Sequence, residues 1–133
     1  MATEILVKDP LEKEMIEGGR ELVLRLARTG FNVSAALWLW NRERPYWRLL
    51  IASPAVKKSL DDAYQKIGDA LREKPPFPNW EMTRIQPLTN SEPVIKALRS
   101  QAKKYRTNMA GERLKESWLG DVSFDDAYIY FVK

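Results

Sequence analysis

The side chains able to do chemistry in this 133-residue chain are defined first by two that are missing: it has no histidine and no cysteine. Histidine is the usual general base, the commonest metal ligand and the side chain that ordinarily titrates near neutrality. Ser-His-Asp and Cys-His catalysis are therefore ruled out within the chain. So are zinc sites built from imidazole or thiolate. Catalysis would have to run on carboxylates, lysine, tyrosine, arginine or an oxygen-liganded metal. No Walker A loop and no Gly-x-Gly-x-x-Gly stretch is present, which leaves glycine-loop nucleotide binding without support. The expectation is a binding protein with no cofactor and no resident metal, rather than an enzyme.

Positive charge is the first candidate for chemistry. The chain carries a net +4, yet residues 96–115 hold seven basic side chains (Lys96, Arg99, Lys103, Lys104, Arg106, Arg113 and Lys115) against one acid, Glu112. That segment carries +6, and the rest of the chain −2. Charge concentrated in one segment favours a local anionic partner. Helical spacing aligns Lys96, Arg99, Lys103 and Arg106 along one stripe, suited to the phosphates of a nucleic acid. The plainer alternative is a solvated helix face with cations near its C-terminus.

Aromatic residues are the second candidate. Residues 33–40 and 46–52 read as two β-strands, rich in aromatic and aliphatic side chains, joined by Asn-Arg-Glu-Arg-Pro at 41–45. Alternation puts Val33, Ala35, Leu37 and Leu39 on one face. If Trp40 pairs with Tyr46, then Trp47, Leu49 and Ile51 join that aliphatic face. Trp38, Trp40, Tyr46, Arg48 and Leu50 then share the other, and Tyr128 and Tyr130 of a C-terminal strand over 127–132 extend it. Exposed aromatics with a cation stack bases in several single-strand-binding modules. Trp, Tyr and Arg are also the anchor types of protein interfaces. Against both stands a third arrangement, in which a helix such as the first covers this face and makes it core, with Arg48 held by a cation–π contact. The hairpin tip presents Arg42 and Arg44, either as a recognition loop or as solvated charge.

Carboxylates cluster at Glu112, Glu116, Asp121, Asp125 and Asp126. Paired carboxylates can do acid–base work or hold Mg²⁺ or Ca²⁺. Here the EF-hand spacing is not met, and Asp with Gly is what turns require, so these residues are expected in turns.

The elements that position these groups follow from periodicity. Asp9-Pro10-Leu11-Glu12 reads as a helix start, followed by an apolar stripe of Leu11, Met15, Ile16, Leu22, Val23, Leu26 and Ala27. Gly18-Gly19 interrupts it, marking a kink or a place of close packing, and Gly30 ends it. Ser53-Pro54 starts a second helix with Val56, Leu60, Ala63, Tyr64, Ile67 and Leu71 on one side. A proline-rich connector over 75–78 precedes a short strand over 82–87. Ser91-Glu92-Pro93 starts a third helix with a stripe of Val94, Ala97, Leu98, Ala102 and Tyr105. A strand over 114–119, a Gly120-Asp121 turn and the 127–132 strand complete the chain.

The resulting order, α-β-β-α-β-α-(β)-β, predicts a single α+β domain over residues 1–133. It comprises a mixed, largely antiparallel sheet of four to five strands, with about three helices packed mainly on one face. Hydrophobic residues at 44% and charged residues at 30% suit such a domain. With no apolar run near ~18 residues and no basic-then-apolar leader, no membrane association is expected. Freedom from cysteine fits a reducing cytoplasm. The functional expectation is a protein-interaction module of unknown partner acting through the aromatic face and hairpin tip. The alternative is a nucleic-acid-binding accessory acting through 96–115, and a carboxylate metal enzyme ranks last.

Overall fold

Amphipathic periodicity becomes helix wherever the apolar stripe finds a sheet to cover, and this is how the chain is built. The structure, a computed structural model, describes residues 10–73 and 84–133. They form an α+β domain with the elements α1 (Lys13–Arg28), β1 (Ala35–Trp40), β2 (Arg48–Ala52), α2 (Ala55–Lys58), α3 (Leu60–Arg72), β3 (Ile85–Leu88), α4 (Pro93–Tyr105), β4 (Arg113–Leu119) and β5 (Val122–Val132). The five strands make one mixed sheet in the order β3-β2-β1-β5-β4. β3 runs parallel to β2, and all other neighbours are antiparallel. Pro87 lies in β3, at the sheet edge, where its missing N–H matters least.

Helices cover both faces. α1, α2 and α3 bring Leu22, Val23, Leu26, Val56, Ala63, Ile67 and Ala70 onto a core with Trp38, Trp40, Trp47, Leu49, Ile51 and Tyr130. α4 brings Ile95, Leu98 and Ala102 onto Ala35, Leu37, Leu50, Ala52, Ile129 and Val132 on the opposite face. Among the described residues no helix is long and apolar enough to cross a membrane.

The hairpin register differs from the sequence expectation by one residue. Leu37 pairs with Leu50 and Leu39 with Arg48, which carries on to place Trp40 across from Trp47 rather than Tyr46. A one-residue slip turns every side chain of a strand to the other face. Trp47, Leu49 and Ile51 therefore share a face with Trp38 and Trp40, while Arg48 and Leu50 lie with Leu37 and Leu39. Leu37 and Leu49 are both fully buried, but on opposite sides of the sheet. Tyr46 falls in the connection, which is one residue longer than expected.

Three helix details also differ. α1 begins at Lys13 behind Glu12, and Asp9 lies outside the described residues. The expected single helix after Ser53-Pro54 is divided at Ser59, which is extended (φ −159°) and caps α3 by accepting from the Asp62 N–H at 3.1 Å. The break resets the helical phase, so Leu60 and Tyr64 face outward instead of joining the stripe. In α4 the buried row is Ile95, Leu98 and Ala102, and Tyr105 is exposed. The proline-rich connector over 75–78 and the start of the 82–87 strand lie outside the described residues.

Candidate functional site

The aromatic face is an interior. Trp38, Trp40 and Tyr130 are each more than nine-tenths buried beneath α1, Tyr128 is half-buried, and Tyr46 stands exposed in the loop. A β-bulge where β5 meets Ala36 and Leu37 shifts the register there, and Tyr130 and Phe131 both pack on the α1 side. The Tyr130 hydroxyl accepts from Trp38 Nε1 at 2.8 Å and donates to the Ile16 carbonyl at 2.6 Å. That carbonyl belongs to α1, so the hydroxyl must approach the helix backbone. Gly19 makes room for it: a Cβ there would lie 2.1 Å from the Tyr130 hydroxyl. α1 is continuous through both glycines, so neither breaks it, and Gly19 marks close packing. Burial pushes the Tyr130 phenol well above the ordinary tyrosine range, against the opposing pull of the Trp38 hydrogen bond and the Arg20 charge. Arg20 lies 5.9 Å from the Tyr130 ring centroid, and Tyr128 meets Tyr130 edge-on at 5.3 Å.

At the far end of the same face, Arg113 reaches back from β4. Its Nε and Nη2 donate to the two carboxylate oxygens of the fully buried Asp126, at 2.6 and 2.8 Å. Its guanidinium carbon lies 5.4 Å from the Trp47 ring centroid. The Asp126 hydrogen bond raises the Arg113 pKa, with burial acting the other way. Arg113 is thus tied to a core carboxylate and lies near Trp47, while about a third of its side chain stays exposed, 36%. Asp126 is a strand residue inside β5, as is Asp125, so neither is in a turn as the sequence had led us to expect.

Arg48 lies on the other face. It is 8% exposed, and Nη1 donates to Gln86 Oε1 at 2.9 Å.

The hairpin tip is braced by side chains. Asn41 Oδ1 accepts from the Arg44 N–H at 2.9 Å, and Asp125 Oδ2 accepts from the Arg42 N–H at 2.9 Å. The Arg42 guanidinium lies 3.0 Å from Glu116 and 4.0 Å from Asp125. Two of the clustered carboxylates thus serve a hairpin contact. Among the described residues no group of three acids converges on a point where a metal could sit.

The basic segment divides. Arg99, Lys103 and Arg106 line a cleft at the C-terminal end of α4, together with Ser100, Thr107 and, from the end of β5, Lys133. Among the described residues no acidic side chain lines it. The Arg99 Nε donates to the Lys133 carbonyl at 3.1 Å, fixing the two cleft walls together. Arg106 ends the helix in the left-handed region (φ 51°), where glycine is the usual residue. Lys96 is exposed one turn earlier on α4, Lys104 lies over the Tyr105 ring at 5.4 Å, and Lys115 is exposed on β4. The fold therefore joins three of the seven basic residues to a cation missed in the sequence. Lys133 stands 27 positions after Arg106, and only the pairing of β5 beside α4 brings it in.

Comparison of the chain with protein-family models, with curated proteins and with solved structures finds no match.

Proposed function

We propose that the protein binds nucleic acid through its phosphates, in the cleft where α4 meets the end of β5. The observation that carries this reading is the convergence of Arg99, Lys103, Arg106 and Lys133 on one concavity with no acidic side chain among the described residues of its walls. Four like charges held together repel one another unless an anion joins them. Arg106 adds a second consideration. A non-glycine residue in the left-handed region is strained by about 1–2 kcal/mol, and of the three such residues, Arg106, Met109 and Glu116, Arg106 is the one that lines this cleft. Contacts of this kind read backbone and not base sequence.

Fluorescence anisotropy with single- and double-stranded probes tests the reading. Affinity should fall with salt at a log–log slope near −0.7 per phosphate for single strands and −0.9 for duplex. Lys103→Glu with Arg106→Glu should weaken binding roughly tenfold or more for all sequences alike. Arg106→Gly should weaken binding while raising stability by up to about 1 kcal/mol, since glycine relieves the left-handed strain. Absence of binding at tens of micromolar protein and low salt would sink the proposal. The competing reading, a protein-interaction module, then gains ground. It is favoured by Trp118, 70% exposed on the edge strand β4.

A further inference from the structure

We propose that Arg48, with Arg44 beside it, forms a second and separate anion site for a single compact oxyanion, a carboxylate or a phosphate group. The site lies at the opposite end of the strands from the α4 cleft. In the β1–β5 ladder Ala35 pairs with Val132 at the cleft end, whereas Leu39, the partner of Arg48, pairs with Ala127 at the other.

The argument begins with how the guanidinium is satisfied. Arg48 is more than nine-tenths buried, its Nη1 donates to Gln86, and its buried Nε has no hydrogen-bond partner. Among the described residues, the charged and titratable groups that act on it are Arg44, which opposes its charge, and the Tyr46 phenol, which favours it, and no carboxylate does. Burial and Arg44 together lower its pKa. A buried cation with neither a counter-charge nor a full set of acceptors is costly to hold. Such groups concentrate at functional sites.

Arg113 shows what the same chemistry looks like when complete. Its Nε and Nη2 form a side-on fork that takes both oxygens of Asp126. In Arg48 the Nη1 is committed to Gln86, which leaves that same Nε/Nη2 fork as the part with no protein acceptor. A planar fork matches a carboxylate or phosphate. The loop is arranged to add a second cation. Arg42 is taken up by Glu116 and Asp125, while Arg44, exposed and with its backbone N–H held by Asn41, forms no ion pair. Arg44 and Tyr46, which precede Arg48 in the connection, are both exposed.

The test is an NMR titration of protein carrying ¹⁵N-labelled arginine, with inorganic phosphate in one arm and acetate in another at constant ionic strength. We expect a saturable shift of the Arg48 Nε–H resonance in at least one arm, and the stronger arm identifies the anion class. The shift should weaken several-fold in Arg44→Gln, an exposed substitution that leaves folding intact. It should persist in the Lys103→Glu/Arg106→Glu protein, which separates this site from the α4 cleft. No saturable shift at tens of millimolar of either anion, or a shift abolished by the cleft double substitution, would overturn the proposal.

Discussion

The two faces of the sheet solve the same packing problem with different chemistry. The α1 face is made of large amphipathic side chains, Trp38, Trp40, Trp47 and Tyr130, with Arg113 and Asp126 threaded among them. Three of the polar groups find partners that reach deep: Tyr130 to a helix carbonyl, Trp38 to Tyr130, Arg113 to Asp126. The α4 face is built mainly of alanine, leucine, isoleucine and valine, with Phe124 and Met109, none of which has a polar tip that needs such a network. Its one cation, Arg48, is correspondingly the one whose fork has no protein acceptor. Aromatic residues with polar tips therefore do not by themselves mark a surface. On this chain they mark the more heavily cross-braced half of the core, and the odd charge on the aliphatic half is the better pointer to a ligand.

That contrast is open to direct attack. The largest effect should come from Arg113→Met, which takes the two-pronged guanidinium partner away from the buried Asp126 carboxylate. Removing one partner of a buried pair costs about 3–5 kcal/mol, and the partial exposure of Arg113 places this case near 3. A urea midpoint close to wild type would show that the pair does not brace the face. Adding Asp126→Asn should recover part of the loss, as expected for coupled residues.

Next in size is Gly19→Ala, which drives a methyl into the Tyr130 hydroxyl and should cost about 1–3 kcal/mol through overpacking. Tyr130→Phe in the same chain should restore part of it, because the hydroxyl is the nearest obstacle. Calorimetric melting of the two single variants and the double variant reads this coupling. Strict additivity would mean that α1 does not rest on Tyr130.

The smallest effect sharpens the comparison most. Arg48→Met, the removal of an arginine buried more fully than Arg113, should leave stability within about 0.5 kcal/mol of wild type or raise it, since among the described residues no counter-charge is left behind. Chemical denaturation of Arg48→Met beside Arg113→Met gives the answer. Equal losses in the two would erase the distinction between a structural and a ligand-facing arginine.

Local patterns were largely legible in the sequence because they are set by neighbours along the chain. The α+β class, the order of elements, the start of α4 at Pro93, the β4–β5 turn at Gly120 and the charge surplus in 96–115 all follow from period, capping and composition. Side-chain alternation alone could not set the β1–β2 register. Both pairings alternate equally well, and the difference is one loop residue, decided by where Trp47 finds its partners. The division at Ser59 was hidden for a similar reason: a serine inside an apolar period reads as helix until its cap competes with the next turn. What only the tertiary structure decided is which groups meet across distance. Tyr130 on Gly19, Arg113 on Asp126 and Trp47, and Lys133 with the α4 cations each join elements by strand pairing or helix packing. The sequence supplies the charges and rings, whereas which of them are covered depends on how helices settle on the two faces of the sheet, a property of the packed whole and not of any segment.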